Sequence, residues 1–140
     1  LRGVPVRIDI GPKDVANQSV TLARRDVLGR EGKSIVPQES VTSAVNDLLI
    51  DIQSSLLERA TNFRDSNTFE PRDYAHFKEI VVDGFAFAWW CGGEKCETAI
   101  KNETKATSRC ISGNGEEDRD GNCIYCGEMA TDKVYFARSY

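Results

Sequence analysis

Hydrophobic and polar residues alternate from Val4 to Ile10, with Val4, Val6, Ile8 and Ile10 on one face and Pro5, Arg7 and Asp9 on the other. A period of two predicts a half-buried strand. Pro5 lacks an amide donor and belongs at the strand's start or at a sheet edge. Gly11-Pro12-Lys13-Asp14 breaks the strand. Beyond it Val15, Ser19 and Leu22, flanked by Ala16, Val20 and Ala23, form a narrow apolar stripe that predicts a helix to about Arg25, with Asp14 favouring its first turn. Gly29 to Lys33 reads as a turn, and Ser34-Ile35-Val36 as a short strand ended by Pro37.

The longest regular pattern runs from about Ser40 to Arg64. Val41, Val45, Leu48, Leu49, Ile52, Leu56, Ala60 and Phe63 recur at helical spacing. Such a helix extends roughly 37 Å at 1.5 Å per residue. Ending in the polar stretch Arg64 to Thr68, it is the natural divider between two substructures. A second helix is predicted over Pro71 to Val82, with Tyr74, Phe77 and Val81 on one side and Gly84 as its stop. Phe85 to Trp90 alternates large and small residues and reads as a core strand leading into Cys91. Cys96 to about Lys105 suits a helix, and Thr107 to Ile111 a strand. Ser112 to Asn122, glycine-rich and acidic, reads as an exposed loop, and Val134 to Ala137 as a closing strand. Helices and strands in this order predict an α/β or α+β chain.

Charge adds an asymmetry to this picture. The net charge of −4 argues against a non-specific nucleic-acid binder. Residues 1 to 33, however, hold seven basic groups against four acids, while the remainder holds eleven against eighteen. A basic N-terminal third fits an anionic partner such as RNA, and equally an ordinary solvated surface. No apolar run approaches the length of a membrane span. The start at Leu1, with neither an initiator methionine nor a signal peptide, predicts a piece of a longer protein.

The cysteines carry the chemistry. Cys91-x4-Cys96 and Cys123-x2-Cys126 are two short pairs separated by 26 residues. Each pair sets two thiolates on one turn, and two such turns close a tetrahedron at the roughly 2.3 Å zinc–sulfur distance. Gly127 directly after Cys126 suits a zinc knuckle. With four protein ligands no position is left for water, so the metal is expected to be structural. The segment from residue 67 onward has few large aliphatics, and a scaffold of about seventy residues needs such a staple. Structural zinc supplies on the order of 10 kcal/mol of folding free energy. Cys110 is left over and reads as a buried, reduced small hydrophobe, or as a substitute for one of the four. Competing readings are a secreted disulfide protein, in keeping with the sequons at Asn17 and Asn102, and a redox motif at Cys123-Ile124-Tyr125-Cys126. An odd cysteine count disfavours the first; the second wants a preceding strand and a long helix.

Taken together, GVPVRIDIGPKDVANQSVTLARRD, the long helix, GFAFAWWCGGEKC, TKATSRCIS, CIYCG and the final VYFARSY resemble the C-terminal part of the prolyl-tRNA synthetases of archaeal and eukaryotic type, over essentially the whole chain. The resemblance implies part of a mixed-sheet anticodon-binding domain with a long connecting helix over residues 1–66. A small α/β zinc-binding domain over 67–140 would follow, with Cys91, Cys96, Cys123 and Cys126 as zinc ligands. It further implies ATP-dependent joining of proline to its tRNA in the cytoplasm by a dimeric enzyme. The ATP and proline sites of that enzyme lie in a catalytic domain these residues do not contain. His76, the one histidine, offers no substitute and reads as a surface or interface residue.

For RNA, the resemblance places Arg7 and Lys13, and Lys33 beside a turn of variable length, among contacts to the anticodon loop. Arg7 projects from the non-core face of the predicted strand, where a guanidinium can make a bidentate contact with guanine. Lys13, at a strand-to-helix turn, reaches a base or a phosphate. The plain alternatives are solvated cations and an Arg7 to Asp9 surface pair. Tyr140, a chain end that would ordinarily fray, is by the same resemblance directed toward the active site of the catalytic domain. A free-standing zinc module binding RNA or protein is the competing function.

Overall fold

The computed structural model describes residues 3–111 and 121–139, and the chain divides into two compact units, Leu1–Asn62 and Phe63–Tyr140. In the first, β1 (Val6–Asp9), α1 (Pro12–Ala16), β2 (Ser19–Arg24) and β3 (Lys33–Pro37) precede the long α2 (Val41–Ser66), whose last turn belongs to the second unit. The three strands form an antiparallel sheet in the order β1-β2-β3.

The helix expected from Val15 to Arg25 is a strand over most of its length. α1 is only five residues long, with Pro12 in its first turn and the Asp14 carboxylate accepting from the Gly11 amide at 2.8 Å. It stops at Asn17, and Gln18 takes a left-handed φ of 49° that turns the chain back. β2 then pairs on both sides, Leu22 opposite Ile8 and Ser34, and Val20 opposite Val36. Two ladders of non-local hydrogen bonds outweigh the weak helical stripe.

Burial falls on the central strand, where Val20 and Leu22 are 4 % and 1 % exposed. The apolar face expected of β1, an edge strand of this sheet, is largely open, Ile8 and Ile10 being 46 % and 65 % exposed. Along α2 the helical spacing holds, and Ile52 is its buried residue.

α2 does not simply fray into the polar stretch that follows. Thr68 Oγ1 and Asn67 Nδ2 donate to the Arg64 and Phe63 carbonyls, each at 2.7 Å, satisfying acceptors left open at the helix end. Thr68–Phe69 then forms β4, unforeseen in the sequence, parallel to β5 (Phe85–Trp90). Gly84 lies against it: a Cβ there would stand 3.0 Å from the Asn67 carbonyl oxygen. The second sheet has the order β4-β5-β7-β6, with β6 (Ala106–Ile111) and β7 (Asp132–Arg138) antiparallel to their neighbours.

α3 (Tyr74–Ile80) is capped by Asp73, whose side chain accepts from the His76 amide at 2.8 Å. Phe77 of α3, Val81 just past its end and Ile100 of α4 (Glu94–Thr104) join a core with Ala86, Ala88, Ala106, Val134 and Phe136. The alternation of Phe85 to Trp90 is explained by this core: the small alanines sit under the helices, and Phe77 meets Phe136 edge-on at 5.4 Å. Thr104, buried at the end of α4, donates to the Ile100 carbonyl and accepts from the Ala106 amide, so its hydroxyl is satisfied.

Candidate metal centre and nucleic-acid interface

β5 delivers Cys91 to its end, and two glycines carry the chain into α4. Gly92 has a left-handed φ of 73°, and a Cβ on Gly93 would lie 3.3 Å from the Cys91 sulfur. Cys96 follows in the first turn of α4, where the positive end of the helix dipole favours a thiolate. The second pair sits on a knuckle. Gly127, with a φ of 74°, donates its amide to the Cys123 carbonyl at 2.9 Å, and Ile124 donates to the carbonyl of Trp89 at 2.9 Å. That last bond ties the knuckle to the strand carrying Cys91.

The four sulfurs all lie within 4.8 Å of one another. Cys91 Sγ is 3.6 Å from Cys96 Sγ and 3.9 Å from Cys126 Sγ. A tetrahedron of zinc–sulfur bonds near 2.3 Å has edges of about 3.8 Å; the two Cys91 separations match it, and no other separation exceeds 4.8 Å. Burial pushes the Cys123 thiol up, but backbone amides at Cys126, Tyr125 and Cys91 outweigh it and bring the thiol down to about 7. Burial, then the Cys91 and Cys126 sulfurs, push Cys96 the other way. A divalent cation is the group that lets four such sulfurs be thiolates together.

All five cysteines are free of disulfides, against the disulfide framework weighed above. Cys110 departs from its expected burial: it is exposed beside an irregularity in the β6–β7 ladder and lies outside the cluster. A bulge there swings the side chain off the core face.

Around the knuckle stands a polar clamp that sequence reasoning missed. Glu103 in α4 accepts from Tyr125 Oη at 3.3 Å and pairs with Lys78 Nζ of α3 at 2.7 Å. The Tyr125 ring meets Tyr74 edge-on at 5.2 Å, and Lys78 lies 4.6 Å above the Tyr74 ring. No spacing rule links residues on three separate segments, so no sequence signal was present.

In the first unit, Arg7 stands opposite Ala23 on β2, and Ala23 opposite Lys33 on β3. Arg7 and Lys33 therefore share one face, the one away from Leu22, across the smallest side chain of the row. Arg7 also makes the surface pair foreseen as its plain alternative, donating to Asp9 at 2.8 and 3.1 Å. Lys13 is exposed on α1, immediately after β1. Tyr140 and nearly all of the loop expected at Ser112 to Asn122 lie outside the described residues.

The fold and site define an α+β protein carrying a four-cysteine centre of metal-binding geometry. Residues 74–140 match the family described as "Prolyl-tRNA synthetase, C-terminal". Over its whole length the chain is 46 % identical to a proline–tRNA ligase of Roseiflexus castenholzii and 43 % identical to one of Flavobacterium psychrophilum, covering 29 % and 28 % of them. It superposes on a prolyl-tRNA synthetase of Cryptosporidium parvum, solved with L-proline and AMP, with a TM-score of 0.77 and 27 % identity, over 99 % of this chain and 29 % of that one. The chain belongs to the prolyl-tRNA synthetase family and corresponds to its C-terminal part. It spans a little under a third of the length of the curated relatives it matches. No helix among the described residues is long and apolar enough to cross a membrane.

Proposed function

We propose that this chain supplies the anticodon-binding and zinc-stabilised portion of a cytoplasmic enzyme that joins proline to its tRNA at the expense of ATP. The carrying observation is the row Arg7, Ala23, Lys33 on one sheet face, with Lys13 on the helix that follows, in a chain similar throughout to proline–tRNA ligases. Alignment with relatives more than three times as long favours this over a free-standing module.

Bases of a single-stranded loop present their edges freely. Arg7 offers two parallel donors to guanine O6 and N7. Lys13 and Lys33, as point charges, neutralise phosphate and set register. Cys91, Cys96, Cys123 and Cys126 hold a zinc ion that closes β5, α4 and the knuckle into one unit; the metal adds folding energy and takes no part in aminoacylation. Activation of proline and its transfer take place on a catalytic domain of the same enzyme, toward which Tyr140 is directed, and the enzyme is a homodimer.

Fluorescence anisotropy with an RNA hairpin bearing the two guanines of a proline anticodon tests the reading. Arg7→Ala should weaken binding by about 5- to 150-fold, the range of a lost bidentate base contact. An equal loss for hairpins lacking the guanines reduces Arg7 to a phosphate contact, and no loss on either removes it from the interface.

A further inference from the structure

A depression in the first unit is lined by Arg7, Ala23 and Lys33 together with Arg25, Leu28 and Val4. It combines two properties that a solvated surface does not need to combine. Its polar lining is cationic, with no acidic side chain among the described lining residues. Arg24, which also lines it, spends its guanidinium on Asp26 and Asp51, and Asp9 reaches Arg7 along β1. Arg25 and Lys33 make no ion pair among the described residues. The depression also carries exposed apolar surface among the described residues: Leu28 is 89 % exposed and Val4 56 %.

Leu28 is held there by the fold of its loop. A Cβ on Gly32 would stand 2.0 Å from the Val27 carbonyl oxygen, so only glycine lets the chain close tightly enough to return to β3. Gly32 and Arg30 accept from the Arg24 and Lys33 amides at 2.8 and 3.0 Å, anchoring both ends. On the sheet itself, Arg7 and Lys33 occupy the two outer strands with Ala23 between them. Strands near 4.8 Å apart put their backbones roughly 10 Å from each other. That is a slot walled by two cations with a methyl floor.

Resting on the anticodon reading above, we infer that this depression is a subsite for one nucleotide of single-stranded RNA. Its base lies against Leu28 and Ala23, and its phosphate meets Arg25. Apolar contact with a base face combined with phosphate neutralisation is the chemistry of single-strand recognition. Neither Leu28 nor Arg25 belongs to the set of Arg7, Lys13 and Lys33, and each makes a distinct contribution. Leu28 adds affinity that is insensitive to salt, whereas Arg25 adds a counterion-release component.

The experiment measures binding of the same RNA hairpin to the whole chain at several salt concentrations. Leu28→Ser, at so exposed a position, leaves the fold intact by circular dichroism and should weaken binding about fivefold, with an unchanged dependence on salt. Leu28→Phe should strengthen it. Arg25→Ala should lower the slope of log K against log salt by about one. Wild-type binding by Leu28→Ser and Arg25→Ala, with Arg7→Ala still impaired, overturns the subsite and leaves the anticodon reading standing. Wild-type binding by all three variants overturns both.

Discussion

Arg7 spends one edge of its guanidinium on Asp9, Nε to Oδ1 at 2.8 Å and a terminal nitrogen to Oδ2 at 3.1 Å, two residues along the same strand. The pair fixes the plane of the fork that would face a guanine, and Asp9 competes with any anion for it. Asp9→Asn should therefore tighten binding to RNA hairpins by roughly twofold to fivefold, the scale of an exposed ion pair, while narrowing the preference for guanine-bearing loops. Anisotropy with both kinds of hairpin reads this, and unchanged selectivity would show that Asp9 does not orient Arg7.

The metal centre predicts a stoichiometry and a collapse. Elemental analysis should find about one zinc per chain. Cys123→Ser, or full chelation, should abolish the near-ultraviolet signal of Trp89, Trp90 and the core aromatics, since structural zinc contributes on the order of 10 kcal/mol. A chelated chain that keeps this signal contradicts a structural role.

Tyr125 sits between the two ligands of the knuckle and reaches Glu103 at 3.3 Å. Its loss should speed metal release, because the knuckle would no longer be tied to α3 and α4. Zinc transfer to a chromogenic chelator should run several-fold faster in Tyr125→Phe and Glu103→Gln than in the parent, as expected when the groups supporting metal ligands are removed. Parent-like rates in both variants would confine the clamp to helix packing.

Phe77 is fully buried and meets Phe136 edge-on. Phe77→Ala should cost about 3–5 kcal/mol, the range for emptying a large aromatic site in a core. Urea denaturation of the zinc-loaded chain measures it; a loss below about 1 kcal/mol would mean that the core collapses into the space.

Asp26 is held below the usual carboxylate range first by its hydrogen bonds from Arg24, with burial opposing and its own backbone amide and the charges of Arg24 and Arg59 assisting. A carboxyl depressed in the folded state stabilises it above the ordinary value and loses that contribution as pH falls through the depressed one. Stability of the parent should thus fall more steeply than that of Asp26→Asn on acidification below about pH 4. Parallel curves would show that the pair contributes nothing.

Much of the second unit was legible because its signals are local. Alternation of Phe85 to Trp90 and the helical spacing of Tyr74, Phe77 and Val81 lead directly to the buried core. The failures lie where partners are distant. Val20 and Leu22 satisfy a helical stripe and a strand alternation equally well, and pairing with β1 and β3 decided between them. The exposure of Cys110 depends on a bulge against β7 that no property of β6 alone encodes.

By itself the sequence determined the two cysteine pairs and their suitability as metal ligands, since ligand type and turn spacing are covalent facts of the chain. It also determined the long helix and, through its motifs, the family. Only the tertiary structure decided that Arg7 and Lys33 share a face across Ala23, that Leu28 is held out beside Arg25, and that Glu103 clamps the knuckle. Strand register and loop closure bring such residues together, and both are set by hydrogen bonds between segments far apart in the chain.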